Sequence, residues 1–526
     1  VDSQFQKTSV ILTAQKGVWA TDPSRGKQVP EGYVVDARDF DFVNGVVISR
    51  PGISQKDISS IGGTSTLLHS VGFRLYDATH LSWSSDVNYV SANLLCYDDK
   101  YEFLTYNPFA DTFTNTPITG LTFTLASIFD GCFALVNGVL VVGGFKSAGD
   151  TGLHVIDYIA NTATEVVGEE WYFCVGHKSR LFVAKQIGTG YSGLQTVGWT
   201  VPGTVNDFTN FGSGTAILPD NPDIVHRLGV IRDTIVITRG GSIVLAELTG
   251  QGSNPYNFRT VFPFGSGAPR HIPSIASDSE SMFWVGDDNV YMYDIAKLTP
   301  IGDAVMKHMM DYALEGLETV NLRGTIINAS PIRRRRQYVL SPTHLPSGDT
   351  TFNVYIYDLA TGTWSIHTYN QRVRGGVWAL DAGGGFYNYG TMPAYVSETE
   401  VMSVMRKTLE CENSPYLVFP TLQIGRAKND YRMMRAWLDC SVVGAGGTVY
   451  LRVQGVEGRY NLAVDYTYSA AAMAQNEDGI GQRLVFDLDE NACVGNNFVL
   501  TLTFPTGCRC VFTRLEVDYA EAGELR

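Results

Sequence analysis

One stretch of the sequence, Phe352-Asn-Val-Tyr-Ile-Tyr-Asp-Leu-Ala-Thr-Gly-Thr-Trp364, constrains the fold more than any other. Val354, Tyr355, Ile356 and Tyr357 favour a strand, because β-branched and aromatic side chains suit a pleated, half-buried surface. Asp358 through Gly362 supply a turn: Asp accepts hydrogen bonds from its own backbone and Gly tolerates positive φ. Trp364 opens the return strand. The pattern recurs at Asn289–Pro300, Tyr101–Phe113 and Leu153–Thr164, with weaker versions starting near Phe73, Leu194 and Ser242. A strand pair that returns every few tens of residues predicts a β-propeller, one four-stranded sheet per copy.

The copies are separated by steps of about 29, 51, 41, 48, 48 and 64 residues. WD40 and kelch repeats are more even and carry their own signature residues, which are missing here. The expectation is a mainly β protein: a degenerate β-propeller of about six or seven blades over residues 61–392. A helical insertion is expected near 303–317, where Val305, Met306, Met309, Met310, Ala313, Leu314 and Leu317 follow helical spacing. Residues 1–60 read as an N-terminal arm. It has a strand at Thr8–Thr13 and a β-hairpin turning at Asn44-Gly45, and Arg50-Pro51-Gly52 ends the second strand. Residues 393–526 read as a linker and a C-terminal β-sandwich or jelly-roll-like domain. Its strands are expected at 432–443, 447–454, 482–488, 497–504 and 510–518, where apolar and polar residues alternate. In the linker, Ser397 followed by Glu400 has capping-box spacing and suggests a short helix over 397–407.

Composition narrows the function classes. The 526 residues are 44% hydrophobic and 17% charged, an ordinary globular balance. The net charge of −14 argues against a DNA binder that reads sequence, which would show a basic face. It is compatible with a surface past which DNA slides, since each phosphate contact would add a trap. No apolar run is long enough to span a membrane as a helix, and no charged-then-apolar start suggests a signal peptide. The eight cysteines are irregularly spaced without a Cys-x-x-Cys, which reads as mostly buried free thiols in a reducing compartment. Cys508 and Cys510 share one face of a strand, with no His or third Cys nearby to complete a metal site.

Catalytic motifs are absent: there is no Gly-x-Ser-x-Gly elbow, His-Glu-x-x-His, Walker loop or dinucleotide fingerprint. No catalytic, cofactor or metal residue is assigned, and the chain is read as a non-enzyme. The closest His–acid spacing, His308 with Asp311, reads as a surface pair on the helix. The acid pairs Asp98-Asp99, Glu169-Glu170 and Asp287-Asp288 fall at turns. Tyr357–Trp364 approaches the sialidase Asp-box, but its Gly spacing differs and it lacks the Ser. The sharpest charge feature is the run Arg333, Arg334, Arg335 and Arg336. In a strand it would project two guanidinium groups to each face. These could pair with acids of a neighbouring subunit or blade, contact phosphate, or protect an edge strand from aggregation. In so acidic a chain, intersubunit or interblade pairing is favoured, with phosphate contact second.

Several segments together resemble the tail nozzle proteins of short-tailed bacteriophages, also described as tail-tube or packaged-DNA stabilisation proteins. They are Pro30–Asp41 with Asn44-Gly45 and Arg50-Pro51-Gly52; Val197–Phe208 with Gly212–Leu218; and Gln423–Arg432. The likeness spans nearly the whole chain through loose motifs. It implies a structural virion protein, assembled in the host cytoplasm, forming a hexameric ring below portal and adaptor. Such a ring retains packaged double-stranded DNA and passes it at ejection without reading its sequence, while tail fibres or spikes dock outside. The resemblance carries no cofactor and no catalytic motif. The competing class is a monomeric carbohydrate-binding or sialidase-like glycan-active β-propeller with a lectin-like sandwich.

Overall fold

The computed structural model describes Thr8 to Glu521, apart from residues 20–28, 44, 51, 58–66, 77–88, 98–99, 108–111, 122–127, 147–151, 167–170, 187–190, 219–222, 251, 253, 264–266, 270, 314–321, 331–334, 343–350, 370–371, 374–394, 397–401, 409–412, 424–430, 445–446, 456–462, 470–481, 489–492 and 496. Among the described residues, seven four-stranded antiparallel sheets follow one another along the chain as the blades of a β-propeller. Blade 1 comprises Leu67–Tyr76, Tyr89–Tyr97, Tyr101–Asn107 and Thr112–Ile118. Blade 2 comprises Ile128–Val136, Val139–Lys146, His154–Asp157 and Thr162–Glu165, and blade 3 Trp171–His177, Arg180–Gln186, Thr196–Trp199 and Gly214–Ile217. Blade 4 comprises Val225–Ile231, Thr234–Arg239, Ser242–Leu248 and Tyr256–Pro263, and blade 5 Ala276–Ser277, Met282–Val285, Val290–Tyr293 and Leu298–Pro300. Blade 6 comprises Leu322–Ser330, Arg335–Pro342, Phe352–Asp358 and Thr363–Tyr369.

Blade 7 is assembled from both ends of the propeller. Arg372–Val373, Tyr395–Val396 and Met402–Thr408 supply three strands, and Gly52–Asp57 supplies the fourth. The pairing of Gly52–Asp57 with Met402–Thr408 runs from Gly52 opposite Thr408 to Asp57 opposite Ser403. The short helix expected over 397–407 is therefore a strand where it is described, at Met402–Thr408. Long-range strand pairing overrides the local cap signal there, because β structure is decided by its neighbours. Residues 397–401 lie outside the described residues.

The recurring sequence pattern marks the outer two strands of blades 1 to 6. In blade 6, Phe352 pairs Tyr369 and Asp358 pairs Thr363 across the turn. Asp358 Oδ1 accepts from the N–H of Ala360 at 2.9 Å and of Thr361 at 3.2 Å, and Gly362 follows at φ +68°. Asp294 and Asp157 close the corresponding turns of blades 5 and 2 in the same way, each accepting from two backbone N–H groups. Phe73 is different: it lies in the first strand of blade 1, which pairs with Tyr89–Tyr97, so it does not start a blade of its own.

Helix α1 (Met306–Ala313) follows blade 5. Val305, Met306 and Met309 are buried, which accounts for the helical spacing of the apolar residues. Leu314 and Leu317 lie outside the described residues.

Apart from a small parallel pair, Gly17–Val18 with Tyr33–Val34, the remaining strands form two facing sheets, a β-sandwich. The first holds Thr8–Leu12, Phe40–Val43, Val46–Ser49, Tyr431–Gly444, Gln482–Asp487, Val494–Gly495 and Cys508–Glu521. The second holds Asp36–Arg38, Tyr416–Val418, Leu422–Gln423, Thr448–Gly455, Ala463–Ser469 and Asn497–Thr503. Alternation sets the inward faces: Val449, Leu451 and Val453 are buried from one strand, and Phe498, Leu500 and Leu502 from its neighbour. Blade strands packed on both faces read instead as continuous apolar runs, as in Met282–Val285.

The N-terminal arm is thus built into both units. It gives strands to each sandwich sheet and then the last strand of the propeller. Gly45, at φ +77°, turns the hairpin in which Val43 pairs Val46. One hydrophobic cluster runs from the sandwich residues Phe40, Leu417 and Phe504 to the propeller residues Phe283, Tyr338 and Trp364. At that seam Thr363 Oγ1 donates to Phe42 O at 3.1 Å, while within the propeller Trp364 Nε1 donates to Ile301 O at 2.7 Å.

Candidate functional site

The arginine run divides at the edge of the described chain. Arg333 and Arg334 lie outside the described residues, and Arg335 pairs Ser330 across a bulge in blade 6. Arg336 reaches the neighbouring blade. Its Nη1 is 2.5 Å from Asp278 Oδ2 and its Nη2 is 2.8 Å from Glu280 Oε2. Asp278 is already fixed, because its Oδ1 accepts from the N–H of Glu280 and Ser281, both at 2.8 Å. One carboxylate therefore caps the first turn of blade 5 and holds a cation from blade 6.

Acids elsewhere are used in the same structural way. Asp207 Oδ1 accepts from the N–H of Thr209 and Asn210. Hydrogen bonds, first from the Asn210 side chain and then from the backbone, hold the Asp207 carboxyl below its ordinary range. Arg180 donates through Nη1 to Thr200 O at 2.8 Å and to Gly212 O, which fixes the other side of this blade 3 loop. The loop carries Phe211, 83% exposed. Asp288, expected at a turn, accepts from the Tyr291 hydroxyl at 2.7 Å. Asp98, Asp99, Glu169 and Glu170 lie outside the described residues.

His308 departs from the expected surface pair. It sits between the propeller and the sandwich, with its Nε2 2.6 Å from Arg38 Nη2 and its Nδ1 2.9 Å from the Tyr355 hydroxyl. A guanidinium only donates, so Nε2 accepts and Nδ1–H donates to Tyr355. Arg38 also donates to Asn353 Oδ1 at 2.5 Å and to Asp36 Oδ1 at 3.2 Å, and Tyr416 donates to Asp36 Oδ2 at 2.9 Å. Burial opposes the Arg38 charge, and Asp36 with the neighbouring phenols more than offsets it, so its pKa is raised. The same burial holds the Tyr416 phenol well above its ordinary value. Sequence spacing could not reveal this cluster, whose members come from the arm, α1, blade 6 and the sandwich.

A second polar joint lies beside it. Arg50 and Asp39 are both buried and 2.5 Å apart. Arg50 Nη2 donates to Thr368 O at 3.1 Å, and the guanidinium lies 4.6 Å from the Tyr369 ring centroid. Asp39 Oδ1 accepts from Thr368 N–H at 2.9 Å and Oδ2 accepts from Asn413 Nδ2 at 3.2 Å. His367 Nε2 lies 3.0 Å from Asp41 Oδ1 alongside.

These clusters orient blades and domains; they do not assemble a nucleophile with a base or a ligand set. Among the described residues no group of three or more His, Cys, Asp or Glu is placed to hold a metal ion. None of the described helices is long and apolar enough to cross a membrane. Cys508 and Cys510 are buried thiols of one strand, Cys508–Glu521.

No protein-family model matches the chain, and no curated protein matches it. Solved structures give distant matches. One is a glycoside hydrolase family 43 arabinoxylan arabinofuranohydrolase from Bacillus subtilis, solved with cellotetraose, at 9% identity and a TM-score of 0.23 over 91% of this chain and 95% of that one. Another is PorZ, a surface component of the type-IX secretion system of Porphyromonas gingivalis, at 10% identity and a TM-score of 0.34 over 77% of this chain. The match covers 46% of PorZ, so this chain corresponds to about half of that protein. At these scores neither likeness carries an argument about activity. The strand topology shows a β-propeller, with seven blades among the described residues, joined to a β-sandwich.

Proposed function

We propose that the chain is the subunit of a phage tail nozzle: a ring-forming virion protein below portal and adaptor that retains packaged DNA and conducts it at ejection. The observation that carries this reading is where the resembling segments fall. Pro30–Gly52 holds the strands that enter both sandwich sheets and leads directly into the strand closing blade 7. Val197–Leu218 is the outer half of blade 3 with its pinned loop, and Gln423–Arg432 leads into the longest strand pairing of the sandwich. Two of the segments that resemble nozzle proteins thus lie where the sandwich is built and, for the first, where it joins the propeller, which suits a load-carrying ring subunit.

The net charge of −14 suits a conduit that DNA passes without being held. Arg336 serves the blade 5–blade 6 joint, which leaves Arg333, Arg334 and Arg335 as the candidates for contact between subunits. On this reading the outer surface docks fibres or spikes, and the subunit performs no bond-making chemistry.

The test is native mass spectrometry of the purified chain, alone and mixed with adaptor and fibre proteins. A six-copy species supports the reading. A 57.7 kDa monomer that persists beside every tail partner, together with binding in a glycan screen, contradicts it and favours a glycan-active propeller.

A further inference from the structure

Blades 2 and 3 are joined by a pair of thiols. Cys132 lies in the first strand of blade 2 and Cys174 in the first strand of blade 3, with their Sγ atoms 3.6 Å apart. The Cys174 N–H donates to Cys132 Sγ at 3.0 Å, and Cys132 Sγ lies 3.3 Å from Tyr172 O. Gly143, opposite Cys132 in the register, makes the space: a Cβ at 143 would stand 2.9 Å from Cys132 Sγ. Both thiols are buried, Cys132 at 7% exposure and Cys174 at 0%. We propose that Cys132 and Cys174 form a peroxide-sensitive dithiol that oxidises to a disulfide and staples the inner strands of blades 2 and 3.

The two sulfurs have different roles. Burial alone would raise the Cys132 thiol, but the Cys174 thiol, the Arg227 guanidinium and the Cys174 and Gly143 backbone outweigh it and lower its pKa. Cys174, which hydrogen-bonds its neighbour and is buried, is pushed up well above the usual range. Cys132, at 7% exposure against 0% for Cys174, is the sulfur an oxidant meets first, so Cys132 attacks as its thiolate and Cys174 resolves. Around them stand Arg227 from blade 4 and Lys185, whose Nζ lies 4.4 Å from the Tyr172 ring centroid.

The oxidant is hydrogen peroxide, small enough to reach a thiol that is nearly buried. Cys132 thiolate attacks one peroxide oxygen; the O–O bond breaks and hydroxide leaves, giving the sulfenic acid at Cys132. Cys174 sulfur then attacks Cys132 sulfur, the S–O bond breaks, and the departing hydroxide takes the Cys174 proton to leave as water, while the hydroxide of the first step takes up the proton that Cys132 had released. In sum two thiols and one peroxide give one disulfide and two waters. The sulfurs close from 3.6 Å to about 2.0 Å.

The experiment is mild peroxide treatment of the folded full-length chain, followed by thiol titration in denaturant and a non-reducing peptide map. Of the eight thiols, six are expected to remain, with residues 132 and 174 recovered in one cross-linked pair that dithiothreitol reopens. The oxidised protein should melt at a higher temperature than the reduced one. In Cys174→Ser, Cys132 should stop at a sulfenic acid that dimedone traps, without a cross-link. In Cys132→Ser, Cys174 should resist the same dose. The proposal is overturned if the wild type keeps all eight thiols at doses that already oxidise exposed methionines, or if the cross-link joins other cysteines.

Discussion

Arg50 Nε lies 2.5 Å from Asp39 Oδ1 with both side chains in the interior, at the point where the N-terminal arm leaves the sandwich and enters the propeller. Each partner has further hydrogen bonds to the Thr368 backbone, so the pair ties the arm to the end of blade 6. Removing one partner strands the other charge away from water. Arg50→Met and Asp39→Asn should each destabilise the fold by about 3–5 kcal/mol. The double variant should cost less than the sum of the two. Urea unfolding checks this, and a loss under about 1 kcal/mol for Arg50→Met would contradict it.

The Arg336 joint is more exposed, so its replacement should matter less. Arg336→Ala should cost about 0.2–1 kcal/mol and leave the mass of the native particle unchanged, because this guanidinium is engaged within one subunit. Asp278→Ala should cost more, because it also strips the turn of its acceptor for the Glu280 and Ser281 N–H groups. Thermal melts at low and high salt separate the two: only the ion-pair part should fade with salt.

Blades 5 and 6 leave no room for a side chain at Gly324, in the first strand of blade 6. A Cβ there would lie 1.9 Å from Ser274 O, a backbone atom of the blade 5 approach that cannot swing aside. Gly324→Ala should therefore destabilise by about 1–3 kcal/mol or more, with blades 5 and 6 forced apart. Hydrogen exchange would show faster opening on both sides of that joint. Unchanged protection there would contradict the packing described.

His177, at the joint of blades 3 and 4, carries a pH dependence. Its Nε2 lies 2.8 Å from Asp233 O and its Nδ1 3.1 Å from the Tyr256 hydroxyl, a set that a neutral ring satisfies by donating from one nitrogen and accepting at the other. Burial, aided by Lys178, lowers its pKa below the usual value despite the opposing contribution of Asp233. The unfolded chain then takes up the proton first on acidification, so this contribution is present above about pH 6.5 and is lost as pH falls through the folded value. The melting temperature should fall from about pH 7.5 to 5, and more gently in His177→Gln. Identical slopes in the two proteins would remove His177 from the account.

Much of the propeller was legible because its outer hairpins are closed by local chemistry. Asp157, Asp294 and Asp358 cap their turns with backbone hydrogen bonds that depend on residues two and three positions on, and such signals survive in sequence. The sandwich strands were legible because each buries one face and alternates. The strand Gly52–Asp57 was not, since Gly-Ile-Ser-Gln-Lys-Asp has little β-forming character and owes its conformation to Met402–Thr408. The same long-range pairing hid the strand character of Met402–Thr408 behind a helix-capping signal. Phe73 read as the start of a copy because a first strand followed by a turn resembles an outer hairpin until its partner is known. The polar joints between sandwich and propeller were not legible: Arg38 and His308 are 270 positions apart, and only the folded chain brings them together.

Imaging the assembled particle along its axis decides between the proposed DNA-conducting ring and a solitary propeller. Six copies of the subunit, propeller and sandwich both ordered, are expected around a central hole wide enough for duplex DNA. Particles that hold a single copy, or rings whose hole is too narrow for a duplex, would contradict it.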